Sequence, residues 1–174
     1  MLPFNRGLRE TDTHIYFWGS YLSNFYWAPF NARLYGLLEA DHEFKTSEHY
    51  FMACKAVRFN DMKTLDLILK APDAKSAKAL GKKVKGFDEK TWEEDSWIYM
   101  YDACLKKFSS TPTLRYNLVG TKEKILVEGS PIDKIWGVGI HYEDDAILDE
   151  KNWTGKNKLG DVLMKVRDVL ASFK

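Results

Sequence analysis

Between Thr46 and Gly120 the chain is punctuated for helices, and that punctuation constrains the fold more than any other feature. Thr46 and Ser47 are both good N-caps for a first helix running to about Phe59. Asp61 caps a second, with Met62, Leu65, Ile68 and Leu69 at inward spacing, and Pro72 ends it. The Ala- and Lys-rich residues 73–80 form a short third helix that stops at Gly81. A fourth begins near Glu89 or Asp95 and reaches Phe108, with Trp97, Met100, Tyr101, Cys104, Leu105 and Phe108 at core spacing. Thr111-Pro112 opens a fifth in the N-cap then N1 arrangement, closing at Gly120. A last helix follows Asn157, with Leu159, Leu163, Val166, Leu170 and Phe173 on one stripe.

Strand signals are shorter. Residues 14–18 read as a strand leading into an aromatic-rich stretch that Ser23, Asn24 and Pro29 break into loop and strand pieces. Residues 33–44 have room for two more short strands, and 125–127 and 135–140 read as extended. The acidic stretch 143–150 reads as a solvated loop, and the first dozen residues as a loose lead-in. The expected organisation is therefore a lead-in at 1–13 and one domain at 14–174, of α+β class, mainly helical with a few short strands. A chain of 174 residues is long enough to bury a core of its own.

The net charge of +1, from 26 basic and 25 acidic residues, argues against a protein that grips nucleic acid by general phosphate neutralisation. Local basic patches leave nucleic acid open as a substrate. Cys54 and Cys104 fall in helical apolar patterns and read as buried free thiols of a cytoplasmic protein, since no secretory signal precedes them. No run of about 18 apolar residues occurs, so no membrane span is expected. The four histidines show no zinc-ligand spacing, so no metal site is expected. Six Trp, nine Tyr and ten Phe supply a core first, and then material for a pocket that stacks a flat heterocycle.

The first helix carries the most informative pair. At 100° per residue Glu48 and Lys55 differ by about 700°, so they stand about 20° apart on one stripe and about 10 Å apart along the axis. Phe51 and Met52 flank that stripe, while Tyr50, Cys54 and Val57 cover the opposite side of a largely buried helix. An i,i+7 acid and base are too far apart for the i,i+4 surface pair, so each meets something else. A small ligand lying along the groove would serve. Burial disfavours a charged lysine, and a neutral lysine is a nucleophile. Spacing alone leaves the plainer reading ahead: Glu48 serves the helix dipole and Lys55 snorkels to water. His49 lies on another face and reads as a satisfied surface histidine.

Six blocks in order resemble a known family. Tyr21-Leu-Ser-Asn-Phe-Tyr26 with Pro29-Phe30 resembles the N-terminal signature of the YbiA-like (NADAR) proteins. Ser47-Glu-His-Tyr-Phe51, with Ala53 and Lys55, resembles their central helix. Ala77-Lys-Ala-Leu-Gly81 and Trp92 follow, then Met100, Lys107-Phe108, Leu114, Leu118 and Thr121. Leu126-Val-Glu128, Ser130-Pro131 and Asp133-Lys-Ile-Trp-Gly-Val-Gly139 form the next block. Trp153-Thr-Gly-Lys-Asn157, Leu159-Gly160, Leu163-Met164 and Val166-Arg167 complete it. The resemblance spans about residues 15–172. It departs at Met52, where the family often has Gln, near Trp97, where it often has Arg, and in the divergent stretch 33–44.

Such a resemblance implies a YbiA-like α+β fold and an N-glycosidase acting on ribosylated compounds. One implied substrate class is the ribosylamino phosphates of the early riboflavin pathway; another is ADP-ribosylated guanine in nucleic acid. A non-catalytic module that binds ADP-ribose is a third reading. Both substrates join an exocyclic amine to the anomeric carbon of ribose, a bond that transimination by a lysine can break. The resemblance therefore implies Glu48 as acid/base and Lys55 as nucleophile, with no metal or organic cofactor. Direct activation of water by Glu48 is the competing mechanism.

Further candidates come with it. Asp133 either orients ribose or shuttles a proton, or else it forms an Asx-type turn after Pro131. Trp136 stacks a base or packs in the core, and Gly137 permits close backbone approach. Asn157 reads as the N-cap of the last helix, whose start is a natural phosphate site. Ser23, Asn24 and Phe25 line the pocket or form its turn. Trp92 and Trp97 stand between core and contact.

Overall fold

The computed structural model describes residues 6–34 and 41–172. Along them run β1 (Leu8–Glu10), β2 (His14–Phe17), β3 (Phe30–Ala32), β4 (His42–Phe44), α1 (Ser47–Arg58), α2 (Met62–Lys70) and α3 (Ala74–Gly81). Then come α4 (Glu89–Ser109), α5 (Pro112–Val119), β5 (Ile125–Glu128) and α6 (Lys158–Ser172). The class is the expected one, α+β and mainly helical. The chain divides into two compact units, residues 24–110 and residues 1–23 with 111–174.

In the unit 24–110, α1 is the central helix, packed by α2, α3 and α4. Its sequence explains that position, since small and apolar residues leave no polar face long enough to meet water. Every residue from Ser47 to Cys54 is buried. The caps fall where side-chain chemistry puts them: Thr46, Asp61, Asp73 and Asp88 each accept the backbone N–H of the third residue on. Asp88 as cap starts α4 at Glu89 rather than Asp95. Gly81 proves to be the last residue of α3, and the reason for a glycine there is packing: a Cβ would run into the Met52 side chain of α1. β3 and β4 pair antiparallel with Phe30 opposite Phe44, and Tyr50 of α1 meets the Phe44 ring edge-on at 4.9 Å. Of the two strands expected in 33–44, β4 lies there and β3 precedes it, while residues 35–40 lie outside the described residues.

Two expected stripes shift. In α2, Thr64, Leu65 and Ile68 face inward, whereas Met62 is exposed and Leu69 half-buried, because the capping turn points Met62 to solvent. In α4, the buried stripe is Ser96, Tyr99, Met100, Ala103, Cys104, Lys107 and Phe108. Trp97, Tyr101 and Leu105 stand half-buried beside it. Both cysteines are buried thiols.

In the other unit, β1, β2 and β5 form one sheet in that order, β1 antiparallel and β5 parallel to β2. The expected loose lead-in is corrected here, since residues 8–10 pair with β2 from Leu8 opposite Phe17. Tyr16 and Val127, partners across the β2–β5 ladder, pack with Val138 and Ile147. α6 packs on β5 with Leu159, Leu163, Val166 and Leu170 buried, and Phe173 lies outside the described residues. Residues 143–150 are not simply a solvated loop: short 3₁₀ turns at Asp145–Leu148 and Glu150–Asn152 bury Ile147 completely. Residues 135–140 form no strand, because the Asp133 carboxylate claims the N–H groups of Ile135 and Trp136 and bends the chain into a loop.

Candidate active site

The Thr46 cap sets Glu48 in the first turn of α1, where it is 2% exposed. A buried carboxylate requires partners. Asn24 provides two links: its carbonyl accepts the Glu48 N–H at 3.0 Å, and its side-chain Nδ2 donates to Glu48 Oε2. Sequence motifs named both residues, and the fold brings them together.

Lys55 stands two turns further along α1, half-buried. Its Nζ lies 3.9 Å from the centroid of the Phe87 ring and 5.5 Å from that of Trp92. Burial pushes its ammonium below the ordinary lysine range, and the negative charge of Glu48 pulls the other way. The two share one helix stripe, as the wheel places them, and the Glu48 charge is felt at Lys55. Trp92 forms a fixed wall, stacked on Tyr99 at 5.8 Å and tilted against Phe51 at 5.0 Å. Phe87, in the loop between α3 and α4, is 44% exposed. Sequence reasoning missed Phe87 altogether, because a loop residue has no periodicity to betray its partner.

The other candidates of this unit have their own surroundings. Phe25 is exposed, with Lys78 Nζ 5.5 Å from its ring. Trp97 stacks on Tyr101 at 5.4 Å, one turn on along α4. His49 is corrected from a surface to a buried histidine, held between Thr46 Oγ1 at 2.8 Å and the Ala71 carbonyl at 3.2 Å.

The remaining candidates belong to the unit 1–23 with 111–174. Ser23 is buried and its N–H donates to the Ser20 carbonyl at 3.0 Å, forming a turn. Asp133 Oδ1 accepts from Ile135 N–H at 3.0 Å and Trp136 N–H at 2.8 Å, the Asx-turn role. Trp136 is half-buried in that loop. Gly137 is required there: a Cβ would stand 2.8 Å from the Glu128 carbonyl and 2.9 Å from that of Asp133. Asn157 stands directly before α6, its carbonyl accepting Asp161 N–H at 3.2 Å, but its side chain is engaged away from the helix. Its side chain reaches β5, accepting Glu128 N–H at 3.0 Å and donating to the Leu126 carbonyl at 2.9 Å. Its φ of 50° is a backbone conformation that asparagine tolerates better than most residues. Among the described residues no three His, Cys, Asp or Glu side chains gather as a metal site would require. No described helix is long and apolar enough to cross a membrane.

Comparison with known proteins agrees with the motif order. Residues 16–171 match the NADAR domain family. The chain is 34% identical over 165 residues to "N-glycosidase R617" of Acanthamoeba polyphaga mimivirus, covering 91% of this chain and 97% of that one. It is 41% identical over 157 residues to "Protein irg-1" of Caenorhabditis elegans, covering 85% and 74%. It is also 36% identical over 129 residues to "Riboflavin biosynthesis protein PYRR, chloroplastic" of Zea mays, covering 70% of this chain and 19% of that longer one. Among solved structures, that of Escherichia coli YbiA superposes with a TM-score of 0.72 at 29% identity, over 97% of this chain and 90% of YbiA. The fold is thus that of YbiA, and the chain's class is that of the N-glycosidases, hydrolases of N-glycosyl bonds. It belongs to the NADAR domain family.

Proposed function

We propose that this N-glycosidase splits the bond between ribose and an exocyclic amine of a heterocycle, in a substrate such as the ribosylamino-pyrimidine phosphates of riboflavin synthesis. The observation that carries the reading is Lys55 itself: a half-buried amine, its charged form disfavoured by burial, on one helix stripe with a buried carboxylate. The maize relative's name ties one similar protein to riboflavin biosynthesis.

The residues suit transimination. Ring-opened, the substrate presents an imine between C1 of the sugar and the heterocycle nitrogen. Neutral Lys55 adds to C1 and gives up a proton to the Glu48 carboxylate, Glu48 passes that proton to the departing heterocycle nitrogen, and a lysine–sugar imine remains. Water then adds to C1 with Glu48 as base, the lysine amine leaves, and the sugar aldehyde is released. Asn24 positions Glu48 for both proton transfers. Asp133 shapes the loop around Gly137 in this reading. A second substrate, ADP-ribosylated guanine in nucleic acid, is favoured by one observation: Lys82, Lys83 and Lys85 are all exposed just before Phe87.

Incubation with each substrate and borohydride, followed by mass spectrometry, tests the mechanism. The expected result is a ribosyl adduct on Lys55. Turnover without an adduct would move the chemistry to direct water attack by Glu48. Full activity in Lys55→Ala would remove the lysine from the mechanism, and binding without turnover would support a non-catalytic module.

A further inference from the structure

Phe87 is large, apolar and 44% exposed, so its own burial does not explain an aromatic side chain at this position. Its surroundings hold it in place. Gly86, with φ of 69°, turns the chain just before it, and Asp88 caps α4 just after it, accepting Thr91 N–H at 2.8 Å. Phe59 meets its ring edge-on at 5.4 Å. What the ring face touches is Lys55 Nζ, closer to the Phe87 centroid than to that of Trp92 (3.9 against 5.5 Å).

We propose that Phe87 is a positioning residue for Lys55, whose ring face holds the resting lysine as an ammonium until substrate draws the lysine off that face. The inference rests on reading Lys55 as the nucleophile. An aromatic face attracts a cation and offers a neutral amine far less, so the contact selects the protonated form. Burial acts in the opposite direction, so ring and burial together poise the group. A neutral amine in a sugar site condenses with any sugar aldehyde that enters, whereas an ammonium cannot form an imine. The ring thus guards the nucleophile between turnovers. A leucine in its place would fill similar volume and lack the quadrupole.

Several charges on the elements around α1 have partners of their own, while Lys82, Lys83 and Lys85 stand exposed between α3 and Phe87. Arg58 of α1 pairs with Asp95 of α4 at 2.5 Å, and Lys106 with Asp102 at 3.3 Å. On α2, Lys70 pairs with Asp66 at 2.7 Å, while Asp61 and Asp73 serve the caps of α2 and α3. Lys45, ahead of α1, donates to the Ala71 carbonyl at 2.6 Å. Glu48 is the charge that acts on the titration of Lys55.

Labelling of Lys55 by acetic anhydride, followed by mass spectrometry across pH without substrate, tests this directly. The midpoint of labelling reports the charge state and the plateau at high pH reports access. Phe87→Leu is expected to lower the midpoint, raising labelling about three- to tenfold at a fixed pH below it. Phe87→Tyr keeps the ring and is expected to stay within about twofold of wild type. The acid limb of kcat/KM should move to lower pH in the Leu variant alone. An unchanged or raised midpoint in Phe87→Leu, or an equal fall in Phe87→Tyr, would overturn the proposal. The labelling arm needs no turnover. Full activity in Lys55→Ala alongside a lowered midpoint in Phe87→Leu would therefore refute the nucleophile reading, and with it the guarding role, while leaving the ring–lysine contact in place.

Discussion

Glu48 is a carboxylate enclosed by protein, and Asn24 gives it a charge-assisted hydrogen bond there. Removing that donor leaves a buried oxygen short of a partner. Asn24→Ala should therefore destabilise the fold by about 1–3 kcal/mol, read from the urea midpoint. If Glu48 is the proton donor proposed above, the substitution should also lower kcat at least tenfold, because that carboxyl loses its fixed orientation; unchanged kcat with lowered stability would reduce Asn24 to a structural tie. Lys55 gives the complementary case. Its folded value is depressed by burial, so the neutral amine becomes available on raising pH before the ordinary 10.5 is reached. kcat/KM should rise with pH along a limb whose midpoint lies below that value, and Lys55→Arg, always charged, should abolish turnover at every pH. A pH profile with no such limb counts against the lysine.

Caps act at the scale of the element, and Asp61 is the strongest of them. Its carboxylate accepts from Thr64 N–H at 3.0 Å, Thr64 Oγ1 at 2.6 Å and Lys85 N–H at 2.9 Å, tying the start of α2 to the segment that follows α3. The Lys85 N–H, first, and then the Thr64 hydroxyl and N–H hold its carboxyl down at about 2. A depressed carboxyl contributes stability above its unfolded value of 3.8 and loses it as pH falls through about 2. Asp61→Ala should therefore lower the urea midpoint at neutral pH. In urea titrations the gap to wild type should close between about pH 4 and 2. A gap that persists below that window would place the loss in packing instead. The Thr46, Asp61 and Thr111 caps were legible in the sequence because their partners are three residues away. Asn157 was not, because its partners are in β5, and a side chain that imitates a strand neighbour has no local signature. α4 misled for another reason. Lys107, fully buried, and Ser96 break the apolar pattern of the inward stripe, while Trp97, Tyr101 and Leu105 make an i,i+4 stripe of their own. Glu48 and Lys55 were legible as a pair only by spacing; their function entered through the family motifs, and the aromatic wall around Lys55 only through the fold.

Across the whole molecule, 26 basic residues against 25 acidic ones leave a charge of +1, too little for long-range steering of an anion. Any charge recognition is then local, and Lys82, Lys83 and Lys85 stand exposed just before Phe87. This distinguishes the two substrates by their response to salt. Raising salt from 50 to 200 mM releases less free energy from counterions for each phosphate contact, weakening binding by about threefold per contact on a nucleic-acid strand. A ribosylamino monophosphate has one phosphate, so its kcat/KM should fall by no more than about threefold over that range. A strand held at four phosphates should lose about a hundredfold. Measured on both substrates with one enzyme preparation, the slope counts the phosphates the site engages. A steep slope with nucleic acid, at comparable turnover, would mean that the lysines before Phe87 track a strand and that the metabolite is the lesser substrate. A shallow slope on both would leave recognition to the ribose and the departing heterocycle rather than to the lysines before Phe87.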